Sequence, residues 1–362
     1  MGADSPYPEL KKSHSMARRG RPWRDYKPPP SGPVWGIIQG FGSYWTLVAA
    51  VELGVFDAVE RLAPAAAGPL ADALGTAPVP TQHLLDTLVT FGFLDQVDDL
   101  YELTETAERY LTTNGPASMA ELVRVAPGPH SNWEDLAATI RTGEVATPIE
   151  LDAAAFYAPL VQATFPTQLR CSTRLGVRLG WARRPGMRVL DLGAGRAPWS
   201  IGVLEMSAGS TAVVNDLPGV VELAATTVAE RGLDDRVEIR PGDFHEIELE
   251  PEAYDIVVLG HLLRTEGAER SVSLVERAFA ALRPGGEIVV ADYFADNDRK
   301  FNPFGVQMGI TMLANTRRGG MLTHAQVSGW LRDAGFEAVR LLEPIGFNQV
   351  YVATKPTGRD EP

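Results

Sequence analysis

The sequence predicts an α/β fold whose parallel sheet occupies the C-terminal half of the chain. The first observation is an apolar strand at residues 187–190 that breaks into a glycine-containing turn, with a helix expected from about residue 198 to 204. The second is a series of later strand patterns, at residues 213–216, 236–244, 254–259 and 283–290. The third is a final pair at residues 338–342 and 348–354, expected to close the sheet in antiparallel fashion. Each pattern alone is weak, and their order along the chain carries the prediction.

The turn after the first strand predicts a ligand site. Gly193 and Gly195 have no Cβ, so the backbone can approach a ligand closely, and Asp191 precedes them at the strand end. A strand, a glycine turn and a helix in this order form the context that such a motif needs. Ala197 and Pro198 stand where a dinucleotide site has its third glycine, and the turn holds no Lys with Ser or Thr for a triphosphate. Neither of these two ligand classes is therefore predicted.

Two acids stand where later strands end. Asp216 closes the second strand, and a carboxylate there can accept both hydroxyls of a ribose. Asp243, flanked by Gly242 and Phe244, closes the third strand and can reach an adenine amino group. Together with the glycine turn, these acids predict an adenosyl ligand. A generic nucleotide-binding α/β sheet is the alternative.

Length, charge and cysteine content limit the class of protein. A chain of 362 residues suggests two domains. The net charge of −13 disfavours a nucleic-acid partner for the whole chain. The single cysteine, Cys171, excludes internal disulfides and fits a reducing cytoplasm. We expect no apolar run long enough to span a membrane and no signal peptide, and therefore a cytoplasmic protein without a membrane partner.

The N-terminal third predicts helices and one hairpin. Residues 1–31 are polar, proline-rich and locally basic, which predicts a disordered tail; an arm that crosses to a second subunit is the alternative. Helical patterns follow at residues 33–60, 69–75, 80–94 and 104–111, with Thr81 as a possible cap of the third. Residues 95–103 predict a small β-hairpin. Helix, turn, helix and hairpin in this order form a winged-helix pattern.

The charge of the predicted winged helix indicates whether it binds DNA or has a structural role. Residues 82–91 of the second helix contain no Arg or Lys, although a helix that reads DNA normally carries some. The predicted wing adds three acids, Asp95, Asp98 and Asp99. The module is therefore predicted to be structural, forming a dimer, rather than to bind DNA.

Two segments are predicted to contact a substrate. Residues 115–185 are helical and aromatic-rich and are expected to roof an active site; packing between domains is the alternative for each aromatic. Residues 301–316 are inserted after the fifth strand as a predicted substrate wall, and a capped helix follows at 323–334. The predicted substrate contacts are His130 and Trp133, placed in a loop, with Phe156, Phe165, Phe304, Gln307, Met308 and Met312. The expected division is a tail at 1–31, a winged-helix-like domain at 32–115, a helical connector at 116–185 and the sheet domain at 186–356.

The ordered set of motifs over about residues 33–356 resembles the class I S-adenosylmethionine (SAM) methyltransferases, and among them the caffeic acid O-methyltransferase-like group. The resemblance implies a Rossmann-like seven-stranded sheet, an N-terminal, all-helical, winged-helix-like dimerisation domain, and a homodimer. It implies SAM as cofactor, with the ribose at Asp216 and the adenine at Asp243 and Phe244. The expected cofactor contacts are Asp191, Gly193, Gly195, Asp216, Leu217, Gly242, Asp243, Phe244 and Gly260.

The catalytic histidine of that group does not match. Arg264 stands where that group has its histidine, just after the fourth strand, and Thr265 and Glu266 stand where the group has Asp and Trp. The nearest histidine, His261, lies three residues earlier. Asp292 matches the acid that the group has after strand five. Arginine stays protonated and is no base. Either His261, His245, Asp292 or Tyr293 acts as the base, or none does and Arg264 orients a carboxylate or enolate. The predicted catalytic residues are Arg264, His261 and Asp292.

The function predicted from these features is methyl transfer from SAM to a small acceptor, an aromatic or polycyclic natural product, at oxygen or carbon. In-line transfer depends mainly on proximity and orientation, and no metal site is predicted. The first alternative is a relative that keeps SAM but performs another reaction, such as hydroxylation, decarboxylation or pericyclic chemistry. The second is a winged-helix regulator that senses SAM.

Overall fold

The computed structural model describes residues 30–125 and 128–357 of the chain. The chain divides into two compact units, Met1–Leu47 and Val48–Pro362. The described part of the first unit is residues 30–47, most of helix α1 (Gly32–Glu52). All but two residues of the predicted tail at 1–31 lie outside the described residues. The domain boundaries expected near residues 115 and 185 stay predictions.

Helix α1 corrects one expectation from the sequence. Within the described residues it is the helix that is long and apolar enough to cross a membrane by length and composition. The expectation that no segment reaches this length is therefore wrong. A single helix of this kind is weak evidence for a membrane span, because core helices and signal sequences pass the same test.

The region after α1 has the predicted winged-helix order. Its elements are α2 (Val55–Leu62), α3 (Ala67–Leu74), α4 (Pro78–Thr90), β1 (Leu94–Val97), β2 (Leu100–Leu103) and α5 (Glu105–Tyr110). Strands β1 and β2 pair antiparallel around a two-residue turn, so the hairpin is confirmed, and the region is otherwise helical. Thr81 is not a cap: α4 begins at Pro78 after Ala77, and the Thr81 hydroxyl donates back to the Ala77 carbonyl at 2.8 Å. Proline at the first helical position explains the earlier start, because its missing N–H has no intrahelical partner there.

The next segment is helical, as predicted. It contains α6 (Ala120–Val125), α7 (His130–Glu134), α8 (Leu136–Thr142), a 3-10 turn (Ile149–Asp152) and the 27-residue helix α9 (Ala153–Leu179). The loop predicted around His130 and Trp133 is wrong, because both residues lie in α7, which starts directly after Pro129. Helix α9 is capped by Asp152, whose carboxylate accepts from the Ala155 amide at 3.2 Å.

The C-terminal region is built on a seven-stranded sheet. Its strands are β3 (Arg188–Leu192), β4 (Thr211–Asp216), β5 (Val237–Pro241), β6 (Tyr254–Gly260), β7 (Leu282–Asp292), β10 (Glu337–Leu341) and β11 (Gln349–Thr354). Two short strands, β8 (Phe294–Ala295) and β9 (Leu322–Thr323), form a separate pair. The helices are α10 (Pro198–Met206), α11 (Val221–Glu230), α12 (Leu263–Ala281), α13 (Pro303–Asn315) and α14 (His324–Asp333). The strand order is β10-β11-β7-β6-β3-β4-β5, and the predicted closing pair of β10 and β11 is antiparallel.

The core lies on both faces of this sheet. Alternate residues of β3 face different clusters: Val189 belongs to one and Leu190 to the other. Because β3 to β7 run parallel, their carboxyl ends meet at one edge. Ligands in open α/β sheets bind at that edge, so it is where the functional residues are sought.

Candidate active site

The glycine turn after β3 has the backbone that only glycine adopts easily. Gly193 and Gly195 have φ of +63° and +58°. A Cβ added to Gly195 would lie 2.9 Å from the Val161 side chain of α9, and one on Gly193 would lie 3.0 Å from Leu262. Helix α9 and the segment after β6 therefore close over this turn, which leaves room for backbone only.

Asp216 braces the same turn. Its two carboxylate oxygens accept from the Gly195 amide and from the Leu217 amide, each at 2.7 Å. Burial raises the pKa of Asp216, although both hydrogen bonds act in the opposite direction. Each oxygen keeps further acceptor capacity for a ribose hydroxyl. The sequence predicted the ligand contact but not the brace, which joins β4 to the turn.

Asp191 is fully buried beneath the turn. One oxygen, Oδ2, accepts from the Ser200 amide at 3.1 Å and from the Ser200 hydroxyl at 2.7 Å. The other, Oδ1, has no hydrogen-bond partner among the described residues. Burial raises the pKa of this carboxyl to about 7 against the two Ser200 hydrogen bonds. An unpaired buried oxygen of this kind fits a ligand that brings a positive charge, as SAM does.

Polar residues surround the predicted adenine acid. The Asp243 carboxylate accepts from the His245 amide at 2.8 Å and lies 4.0 Å from Arg270. Glu266 hydrogen-bonds both the His245 ring at 2.8 Å and Arg270 Nε at 2.7 Å. The sequence did not indicate that Glu266 and Arg270 lie near Asp243, because both belong to α12, which is distant from Asp243 along the chain. Gly242 links this end of the site to Asp216, since the Gly242 amide donates to the Asp216 carbonyl at 2.9 Å.

Gly260 has a packing reason to be glycine. A Cβ there would lie 2.4 Å from the indole nitrogen of Trp199, which itself donates to the Gln168 side chain at 3.1 Å. The space beside Gly260 is thus filled by a buried tryptophan. Its predicted cofactor contact stays a prediction.

The catalytic candidates come together at the ends of β6 and β7. Arg264 Nη1 donates to Asp292 Oδ1 at 2.7 Å and to the His261 carbonyl at 2.9 Å, and its guanidinium lies 5.3 Å from the Tyr293 ring centre. Burial lowers the pKa of Arg264, but Asp292 and Tyr293 outweigh it and the pKa is raised overall. Arg264 is therefore a fixed positive charge within the site.

His261 is a poor base in this setting. Its side chain is only 7% exposed, and neither ring nitrogen has a hydrogen-bond partner among the described residues. Burial first, and then the charge of Arg264, lower the pKa of His261 to about 4, although Asp292 at 3.8 Å and Asn348 act to raise it. The imidazole is neutral near pH 7, able to exchange hydrogen bonds but weak as a proton acceptor.

Tyr157 is the residue at this site that sequence reasoning did not assign. It lies on α9, and its hydroxyl interacts with Arg264 and with the Thr265 side chain. Burial raises the pKa of Tyr157 to about 12 despite these neighbours. Tyr157 is therefore a hydrogen-bond donor at neutral pH. Its sequence signal was only one aromatic among several in the connector.

The predicted substrate residues separate into groups. Phe304 stacks edge-on against Tyr293 at 4.9 Å, and Phe156 packs against Tyr157 at 5.2 Å, so both lie beside the catalytic cluster. Phe165 instead lies in the core with Arg196 4.8 Å from its ring centre, which favours a structural role. The other predicted contacts differ in burial: His130 and Gln307 are exposed, Trp133 and Met308 are half-buried, and Met312 is buried.

Helices α7 and α13 are joined by a buried contact. Asn132 donates to the Asn315 side-chain oxygen at 3.1 Å, and Gly128 packs directly against the same Asn315 amide. The predicted roof and the predicted wall therefore meet, which is the arrangement expected of an enclosed substrate site.

A seven-stranded sheet, a glycine turn after β3 and acids at the end of β4 and just after β5 form the arrangement of a class I SAM-dependent methyltransferase. Two family models match the chain: the O-methyltransferase dimerisation domain at residues 35–113 and the O-methyltransferase domain at residues 184–337. The chain belongs to this family of O-methyltransferases, and SAM is its cofactor.

Named relatives support the assignment over nearly the whole chain. The tetracenomycin polyketide synthesis 8-O-methyl transferase TcmO of Streptomyces glaucescens is 27% identical over 333 residues, covering 90% of this chain and 97% of TcmO. The 3-hydroxy-5-methyl-1-naphthoate 3-O-methyltransferase of Streptomyces sahachiroi is 28% identical over 319 residues, covering 84% of this chain and 89% of that relative. The structure of human N-acetylserotonin methyltransferase with SAM shares the fold, with a TM-score of 0.78 at 23% identity, and the match covers 92% of this chain and 99% of the human chain.

Proposed function

We propose that the enzyme methylates a hydroxyl group of a small aromatic or polycyclic natural product, without a histidine base at the usual family position. The observation that carries the proposal is the buried Arg264–Asp292 ion pair at the ends of β6 and β7. The names of the two Streptomyces relatives, which describe a polyketide and a naphthoate acceptor, support the acceptor class.

The residues of the site act on the acceptor by charge and position. SAM, when bound, supplies the methyl group from its sulfonium and leaves as S-adenosylhomocysteine. Arg264, held by Asp292, stabilises the oxyanion that an acceptor hydroxyl leaves when it loses its proton, and a fixed charge in a dry site does this strongly. Tyr157 donates a second hydrogen bond from α9, which also excludes water. The proton passes to solvent before methyl transfer.

This mechanism predicts a pH profile set by the acceptor. His261, with a pKa of about 4, and Tyr157, with a pKa of about 12, both stay neutral between pH 6 and 9, so neither accepts the proton in that range. At saturating SAM, kcat/KM for the acceptor should rise with pH up to the acceptor's own pKa and then level off. Hydroxynaphthoates and hydroxyanthraquinones with different hydroxyl pKa values should therefore show displaced profiles.

The same assay with methyl-labelled SAM separates the alternatives. Label on the acceptor oxygen, seen by mass spectrometry and NMR, supports the proposal. Profiles that share one pKa for every acceptor would reveal a base in the protein and contradict the mechanism. An acceptor that is converted without gaining the label would favour the alternative that the enzyme keeps SAM but performs another reaction.

We also propose that the enzyme is a homodimer. The match to a dimerisation domain at residues 35–113 supports this proposal, and α1 within that range carries exposed apolar side chains, including Trp35, Ile37 and Phe41. Light scattering of the purified full chain should give about twice the 39.2 kDa of one subunit. A mass of one subunit at micromolar concentration would contradict the proposal.

A further inference from the structure

Four aromatic side chains form a continuous row that starts at the catalytic cluster. We call His261, Tyr293, Phe304 and Phe347 the aromatic row. Consecutive ring centres lie 4.7, 4.9 and 5.0 Å apart. His261 at the inner end is 7% exposed, whereas Phe347 at the outer end is 69% exposed. The row therefore connects the buried cluster to solvent.

The outer residue comes from the loop between β10 and β11. That loop ends at the active edge of the sheet, because Gln349, the first residue of β11, pairs with Asp292, the last residue of β7. A tight turn shapes the loop: the Ile345 amide donates to the Asn348 carbonyl at 2.9 Å, and Gly346 has φ of +65°. Phe347 is thus held at the tip of a short, constrained turn.

The inner end of the row carries unpaired polar atoms. Both ring nitrogens of His261 and the side-chain oxygen of Asn348 are buried without a hydrogen-bond partner among the described residues. The two side chains are neighbours: Asn348 approaches the His261 ring closely enough to act on it as a hydrogen-bond partner and to raise its pKa, but without the geometry of a full hydrogen bond. Buried polar groups are seldom left unpaired in folded proteins, so a ligand or ordered water is expected to supply the missing partners.

We infer that the β10–β11 loop is a specificity element of the acceptor site. Asn348 and His261 hydrogen-bond a hydroxyl or carbonyl group at the inner end, and Phe347 extends the aromatic surface so that fused-ring acceptors bind more tightly than single rings. The ring centres of Phe304 and Phe347 lie 5.0 Å apart with planes tilted by 31°, so the two rings stack on each other and the exposed face of Phe347 is left for an acceptor ring. This inference rests on the proposed function, which supplies an aromatic acceptor.

The test compares planar probes of different size on the full-length protein. Catechol, 1,3-dihydroxynaphthalene and 1,8-dihydroxyanthraquinone are titrated by calorimetry in saturating S-adenosylhomocysteine, so that no turnover is needed. Affinity should rise with ring number. Phe347→Ala should weaken the three-ring probe by roughly three- to tenfold, the scale of one aromatic stacking contact, and leave catechol unchanged. Asn348→Leu should weaken all three probes, because each presents a hydroxyl to the inner end.

The matched control is Val97→Ala. Val97 is also a highly exposed apolar side chain, at 70%, but it lies in β1 of the N-terminal hairpin, so its removal should change no affinity. Melting temperatures of all variants confirm that the fold is retained. The inference is overturned by a wild type that binds no probe. It is also overturned if Phe347→Ala weakens the one-ring and three-ring probes equally, or weakens the three-ring probe no more than Val97→Ala does. A wild type that binds the three-ring probe but transfers no methyl group would instead contradict the proposed function alone.

Discussion

Replacing Arg264 with alanine should destabilise the fold by about 3 kcal/mol and remove most methyl transfer, since it leaves the buried Asp292 carboxylate without its counter-ion. Asp292 is fully buried, and Arg264 donates to it at 2.7 Å. The Tyr293 amide, at 2.9 Å, remains as a partial partner, which places the cost at the lower end of the range for a broken buried pair. Urea denaturation gives the stability change, and the labelled-SAM assay gives the turnover.

Three variants separate the structural from the catalytic effect. Arg124→Ala breaks an exposed pair with Glu121 and should cost less than about 1 kcal/mol. Replacing both Arg264 and Asp292 with leucine should recover much of the lost stability without recovering activity, because no unpaired charge is left. Arg264→Lys keeps the charge but not the forked geometry, and should retain more stability than turnover. Wild-type turnover in folded Arg264→Ala protein would exclude Arg264 from the mechanism.

Local patterns predicted much of this fold. The strand, glycine turn and helix around Gly193 and Gly195, the acid that ends β4 and the acid just after β5 can be recognised from neighbouring residues alone. The capped helix α14 was equally clear, because Thr323 and Gln326 form a capping box within four residues. The errors at Thr81 and around His130 are also local, since in both cases a proline starts a helix at or just after its own position.

The contacts that shape the site were not predictable in the same way. Val161 against Gly195, Tyr157 beside Arg264 and Asn348 beside His261 each join segments far apart in the chain. No periodicity or spacing records such pairs. They depend on how α9 and the β10–β11 loop dock against the sheet edge, which is a property of tertiary packing. The sequence showed that Arg264 stands where the family has its histidine, but it did not show the ion pair of Arg264 with Asp292.

Asp216→Ala is the second change with a large expected effect. It removes the predicted ribose acceptor and at the same time leaves the amides of Gly195 and Leu217 without the carboxylate that holds the glycine turn. Leaving a buried donor unpaired costs about 1–3 kcal/mol, so the SAM dissociation constant should rise by roughly 5- to 150-fold. Calorimetry with SAM and with S-adenosylhomocysteine measures this directly, and both ligands should be affected because both carry the ribose.

The variant Asp216→Asn separates the hydrogen bonds that hold the glycine turn from the negative charge of Asp216. Burial raises the pKa of Asp216, which means that the ionised form is disfavoured in the fold. Asp216→Asn keeps one oxygen acceptor and removes the buried charge, so it should unfold at higher urea than Asp216→Ala while binding SAM less tightly than wild type. Asp234→Ala, an exposed acid before β5, is the matched control and should leave affinity unchanged. Unaltered SAM affinity in Asp216→Ala would contradict the placement of the ribose, because this change removes both the predicted ligand contact and the support of the turn.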